Sequence, residues 1–134
     1  MRRSRRPRLL IIDEAWSLLQ YAEGGAFLAG MARRARKYYL GLVTITQDVA
    51  DFLGSEHGRT VLGNAAMKLL LKQDGATIGP VAEAFRLSPE ERQVLLGAGK
   101  GEGLLFARGN RLRLLVQNQE TFWGMTRWSS WSHW

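Results

Sequence analysis

The chain is 134 residues long, 46% hydrophobic, without cysteine, and carries a formal net charge of +7. That length supports one domain with its own core, and the lack of cysteine excludes disulfide frameworks and thiolate metal sites. The two histidines, His57 and His133, show no ligand-like spacing, which argues against zinc.

The charge is unevenly spread. Arg2, Arg3, Arg5, Arg6 and Arg8 supply five of the seven positive units. Residues 1–7 therefore read as a basic leader. Such an arm can grip phosphates or an acidic membrane surface, but a like-charge run is more often a solvated, flexible segment. No apolar run approaches the ~18 residues a membrane span needs, and no signal peptide follows the arginines. A soluble, cytoplasmic chain is expected.

The first element is Leu9-Leu10-Ile11-Ile12, which runs directly into Asp13 and Glu14. A short unbroken aliphatic run predicts a strand buried on both faces, as in a parallel sheet covered by helices. The two carboxylates then emerge at its carboxyl end, where open α/β sheets place their ligands. Asp13 is suited to hold Mg²⁺ and Glu14 to polarise an attacking water. The bland alternative is an acidic helix start.

A short helix is expected over residues 15–22, interrupted by Gly24-Gly25, and a second over 26–38 with Phe27, Leu28, Met31, Ala32, Ala35 and Tyr38 on one arc. Arg33 and Lys37 then project away from the core, with Arg34 and Arg36 at the edges of the stripe. Gly41 is expected to end this helix. Leu42-Val43-Thr44-Ile45-Thr46 reads as a second buried strand, parallel to the first through a right-handed crossover, so that Gln47 and Asp48 share an edge with Asp13. Asp48 is a candidate cap for a short helix through Phe52.

Residues 55–64 read as a linker with about one helical turn, and 66–73 as a third strand. A helix is expected over 81–85. Another opens at Leu87-Ser88-Pro89-Glu90-Glu91, with Ser88 as N-cap and Glu91 completing a capping box. The glycines from Gly97 to Gly103 form a loop that lacks the pattern of a phosphate cradle. Residues 104–107 and 111–117 form a β-hairpin about Gly109-Asn110. Four tryptophans crowd the last twelve residues, a tail that can stack, dock or fold back.

Several blocks, taken together and in order, resemble one family. Leu9-Leu10-Ile11-Ile12-Asp13-Glu14-Ala15-Trp16, Ala32-Arg33-Arg34-Ala35-Arg36-Lys37-Tyr38-Tyr39-Leu40-Gly41 and Thr44-Ile45-Thr46-Gln47-Asp48 are similar to the cytoplasmic ATPases of type IV secretion and conjugation, the TraC/TrbE-like proteins of the HerA–FtsK superfamily. Gly63-Asn64-Ala65-Ala66, Lys68-Leu69-Leu70-Leu71-Lys72-Gln73, the Ser88 block and Gly101-Glu102-Gly103-Leu104-Leu105 extend the likeness over residues 8–116.

The resemblance implies an α/β fold, an incomplete RecA-like three-layer sandwich with a mostly parallel sheet and a C-terminal β-hairpin. It divides the chain into a leader (1–7), the C-terminal portion of the motor domain (8–119) and the tail (120–134). It makes Asp13 the Mg²⁺-holding residue of a Walker B-type pair, Glu14 the residue that activates water, and Gln47 a sensor of the γ-phosphate. Arg36 would be an arginine finger acting on a neighbouring subunit, with Arg33 and Arg34 as substitutes. Arg108, Arg111 or Arg113 would approach the nucleotide, Arg111 being the chosen candidate. The implied cofactor is Mg-ATP. The implied partners are further copies of the chain, as a hexamer, other secretion-system components, and DNA, at the periphery of the inner membrane.

Two departures qualify the resemblance. No phosphate-binding strand–loop–helix precedes Arg8, and the family's usual acidic end is replaced by the tryptophan-rich tail. The chain thus reads as part of a motor, inactive alone. A non-catalytic self-association or partner-binding module, and a basic nucleic-acid-binding protein, are the alternatives.

Overall fold

A computed structural model describes residues 6–116; the tail and most of the leader lie outside the described residues. Strand β1 (Arg8–Ile12) and strand β2 (Leu40–Thr44) pair in parallel, Arg8 opposite Leu40 and Ile12 opposite Thr44. Between them run α1 (Trp16–Leu19), α2 (Ala22–Arg34) and a 3-10 turn at Ala35–Tyr38. Then follow α3 (Val49–Gly54), α4 (Glu56–Asn64), β3 (Met67–Leu70), α5 (Ile78–Phe85), α6 (Pro89–Leu96), β4 (Glu102–Ala107) and β5 (Asn110–Leu115). Strands β3, β4 and β5 form a separate antiparallel sheet in that order.

The α/β class, the parallel crossover pair and the hairpin agree with expectation; β3 joins the hairpin sheet rather than the parallel one. The strands are not buried on both faces. Leu10, Ile12 and Leu42 are half-buried on one face of the parallel pair, whereas Leu9, Ile11, Val43 and Ile45 are exposed on the other. The helices explain this one-sided burial. Trp16 and Leu19 of α1, Leu28 of α2, Phe52 of α3 and Val61 of α4 gather with Ile12 and Leu42 in one cluster. A second cluster, Leu70, Ile78, Val81, Leu95 and Leu104, lies between the antiparallel sheet and α5–α6. Leu28 and Leu95 are fully buried, each worth about 2 kcal/mol of transfer free energy.

Four local expectations are corrected. Gly24 and Gly25 lie inside α2, which starts after the extended Tyr21, because they permit close packing rather than a break. A methyl on Gly25 would fall 2.5 Å from the His57 ring of α4, and one on Gly24 would fall 2.5 Å from the Leu18 carbonyl. The α2 segment is closed not by Gly41 but by Tyr39, whose φ of 53° ends the 3-10 turn; Gly41 sits within β2 opposite Leu9. Residues 56–64 are a full helix, because the Ser55 hydroxyl accepts the Gly58 N–H as an N-cap and Val61 is buried. The hairpin turns at Arg108-Gly109, one residue earlier than expected; both have positive φ, as a type I′ turn requires, and Asn110 already pairs with Ala107. The Asp48 cap of α3 and the Ser88–Glu91 capping box of α6 are formed as expected.

Candidate functional site

The carboxyl ends of β1 and β2 are tied together beyond their last pair. The Ile45 N–H donates to the Ile12 carbonyl and the Ala15 N–H to the Ile45 carbonyl, both at 2.9 Å. The two exit loops therefore leave the sheet side by side. In the first, Asp13 Oδ1 accepts the Glu14 N–H at 2.9 Å, and Glu14 takes a left-handed φ of 51°. A non-glycine residue adopts that conformation at a cost of about 1 kcal/mol, and such strain concentrates at functional sites.

The turn aims the half-buried Glu14 carboxylate at the second loop. Gln47 Nε2 donates to its Oε1 at 3.2 Å, and the Trp16 indole N–H donates to its Oε2. Glu14, Trp16, Gln47 and Asp48 line a cleft of about 350 Å³ closed on its far side by Ala76, Thr77 and Pro80 from the start of α5. Asp74, just before that wall, has its carboxyl held below the usual aspartate range by the Thr77 N–H, the Thr77 hydroxyl and the Ala76 N–H.

A larger groove, about 920 Å³, adjoins this cleft through Ala50 and Pro80. Arg59, Lys68, Phe85, Phe106, Arg108 and Arg111 line it, and neither Glu14 nor Gln47 does. Size is a poor guide here: the smaller cleft holds the converging carboxylate and amide.

Asp13 adjoins this cleft without lining it, and its carboxylate is the kind of donor a phosphate-bound magnesium ion uses. Asp13 is exposed and spends one oxygen on the Glu14 amide, leaving the other without a partner among the described residues. Mg²⁺ keeps several waters and needs only one or two carboxylates beside phosphate oxygens.

A family profile described as AAA-like domain matches residues 1–91. The chain belongs to the AAA-like domain family. Among curated proteins, this AAA-like chain is 31% identical to Protein TraC of Escherichia coli (strain K12) over 104 residues, which are 71% of the chain and 12% of TraC. Among solved structures it is similar to VirB4 of Thermoanaerobacter pseudethanolicus, with a TM-score of 0.78 and 36% identity, over 87% of the chain and 33% of the VirB4 chain. It thus spans about an eighth of TraC and a third of the VirB4 chain. These likenesses bear out the resemblance to type IV secretion and conjugative ATPases read from the sequence.

The AAA-like domain brings together Asp13, Glu14 and Gln47 and keeps the arginines apart from them. Arg36 is exposed in the 3-10 turn, beside the amino-terminal ends of the strands and a full strand length from Glu14. Arg111 is committed to its own fold: it donates to the Glu91 carboxylate at 2.8 Å and to the carbonyls of Arg86 and Phe85, and lies 5.0 Å over the Phe106 ring. Arg113 pairs with Glu102 across the hairpin at 3.3 Å. Arg108, at the turn, has no hydrogen bond or ion pair among the described residues.

The sequence reading named Trp16 at the end of a block resembling the family and missed it as a partner of Glu14. An indole N–H near a buried surface normally finds an acceptor, and Glu14 is two residues away. The Ala76–Pro80 wall carries no comparable signal, because nothing local to it names a partner sixty residues earlier.

Proposed function

We propose that this AAA-like domain supplies the metal-holding and water-activating side chains of an ATP-hydrolysing motor for type IV secretion or conjugative transfer. The observation that carries the reading is the Gln47–Glu14 hydrogen bond across the carboxyl ends of two parallel strands. Bound Mg-ATP would supply the reactive γ-phosphate and a cation that neutralises it. Asp13 would hold the cation through the oxygen that the Glu14 N–H does not occupy. Glu14 accepts the proton of the attacking water, with Trp16 and Gln47 fixing its two oxygens. Gln47 would report a bound γ-phosphate to Glu14 through their shared hydrogen bond.

Arg36 lies too far along the sheet to serve its own Glu14, which fits a finger that acts on the next copy in a ring, a hexamer by resemblance. Arg111 anchors the hairpin, which leaves Arg108, in the adjoining groove and without a side-chain partner among the described residues, as the hairpin arginine open to a phosphate. The 134 residues contain no phosphate cradle, so the reading requires that cradle to come from outside them. The motor would work with other secretion-system components in the cytoplasm, at the periphery of the inner membrane.

The test has two parts. The isolated 134-residue chain is expected to show no measurable ATP hydrolysis and at most weak Mg-ATP binding by calorimetry. In a polypeptide that also carries the cradle, Glu14→Gln is expected to abolish turnover while preserving nucleotide binding, since it removes the base and keeps the shape. Robust turnover by the isolated chain, lost on Glu14→Gln, would overturn the claim of incompleteness. Unchanged turnover of the complete protein would overturn the role of Glu14.

A second reading, a self-association module, draws on the bare sheet face bearing Leu9, Ile11, Val43 and Ile45.

A further inference from the structure

The parallel register has an effect at the end of the sheet opposite Glu14. Because Arg8 pairs with Leu40, the chain enters β1 directly beside the 3-10 turn. The Arg8 N–H donates to the Tyr39 carbonyl at 2.9 Å, and the Arg8 guanidinium reaches the Tyr38 carbonyl at 3.4 Å. Two segments distant in sequence, 6–8 and 33–40, thus meet at one end of the domain. Among the described residues they hold six cations, Arg6, Arg8, Arg33, Arg34, Arg36 and Lys37, and not one acidic residue. The charge of these two segments is wholly positive.

Arg6, Arg8, Arg33, Arg36 and Lys37 are all exposed. The ion pairs among the described residues lie elsewhere, on the hairpin, so none of these charges is neutralised by a carboxylate there. Beside them stand two exposed aromatic side chains, Tyr38 at 51% and Tyr39 at 47% exposure.

We propose that this end is a binding site for single-stranded nucleic acid, with the cations on phosphates and Tyr38 stacked on a base. Interleaved cations and exposed aromatic rings are what an unpaired strand requires, since every base offers a face to stack and every linkage a charge. A lipid surface fits less well. An interfacial helix inserts a continuous apolar face, whereas α2 buries Leu28 and Ala29 in the domain and exposes, of its large apolar side chains, Phe27 at 56%. The site needs no nucleotide and is independent of the role given to Glu14.

The experiment is fluorescence anisotropy with a labelled mixed-sequence 20-nucleotide DNA and the full chain, titrated at several salt concentrations. Arg36, assigned above to a neighbour's nucleotide, is left unchanged. Arg33→Gln/Lys37→Gln is expected to weaken binding about tenfold at low salt and to lower the log–log salt slope by roughly 1.4, about 0.7 for each phosphate that is no longer neutralised. Tyr38→Ala is expected to weaken binding about fivefold with the slope unchanged, because stacking is not screened. Arg92→Gln/Lys100→Gln removes the same charge from exposed positions elsewhere and is expected to change affinity less than twofold. Circular-dichroism melts establish that each variant is folded. No binding at low salt, equal losses from the two double variants, or tighter binding to phosphatidylglycerol vesicles than to the oligonucleotide would overturn the proposal.

Discussion

At Asp74 one oxygen, Oδ1, collects three donors: the Thr77 N–H at 2.8 Å, the Ala76 N–H at 2.9 Å and the Thr77 hydroxyl at 3.0 Å. They favour the charged form and hold the carboxyl below its ordinary value. A carboxyl depressed on folding contributes stability that is fully present above its unfolded value, near 3.9, and is lost as pH falls through its folded value. Asp74→Asn is therefore expected to melt below the parent at pH 7, with the gap closing as pH falls below the unfolded carboxyl's value of about 4. Melting curves at four pH values check this; a gap that stays constant would mean the loop is held by something other than the charge. The same scale shows what is legible of the site. Asp13 and Gln47 can be placed on one edge because each follows an apolar run, and strand ends need no long-range knowledge. Whether a side chain is free cannot be read: Arg111, Arg113 and Arg108 look alike in sequence, and only folding commits the first two to Glu91 and Glu102.

Helix α4 tests whether its glycines are there for packing or for freedom. A methyl on Gly58 would lie 1.8 Å from the Phe52 carbonyl oxygen and 3.1 Å from a Leu19 methyl, so backbone would have to move. Gly63, in the same helix, has nothing within 4 Å of such a methyl. Gly58→Ala is expected to cost about 2 kcal/mol or more by overpacking, whereas Gly63→Ala should gain about 0.5–1 kcal/mol by restricting the unfolded chain. Urea titration of both separates them by sign. This helix reads in sequence as a linker for the same reason that Gly24-Gly25 reads as a break. Glycine weakens an isolated helix, and only the neighbour it admits, His57 for Gly25 or Phe52 for Gly58, reveals the compensation. Elements with purely local signals, the capping box and the hairpin, are legible to within a residue or two.

At the scale of the whole molecule, both sheets carry helices on one side only among the described residues. Leu9, Ile11, Val43 and Ile45 are exposed on the parallel pair, and Met67, Leu69 and Leu112 on the antiparallel sheet. Each sheet also has strand edges that pair with nothing among the described residues, and such edges recruit strands from other chains. The isolated chain is expected to self-associate, as light scattering across a dilution series would detect, with a version ending at Gln119 run in parallel. Association of both places the contact on the sheets, and association of the full chain alone places it on the tryptophan-rich tail. Two monomers would refute the bare-surface argument. Loss of association in moderate salt would point instead to the basic end, because apolar contacts are not screened.

The division into two sheets also carries an ordering in time. Strands β4 and β5 are joined by the Arg108-Gly109 turn and need close only a two-residue loop, an event on the scale of about 1–10 μs. The parallel pair must bring Arg8 to Leu40 across α1 and all of α2 before a single rung forms, and the entropy of that closure falls before any reward. The edge that assembles Glu14 with Gln47 therefore belongs to the late half of folding. On a chain emerging from the ribosome the order of synthesis runs the other way, with β1 and β2 made before the fast-closing hairpin.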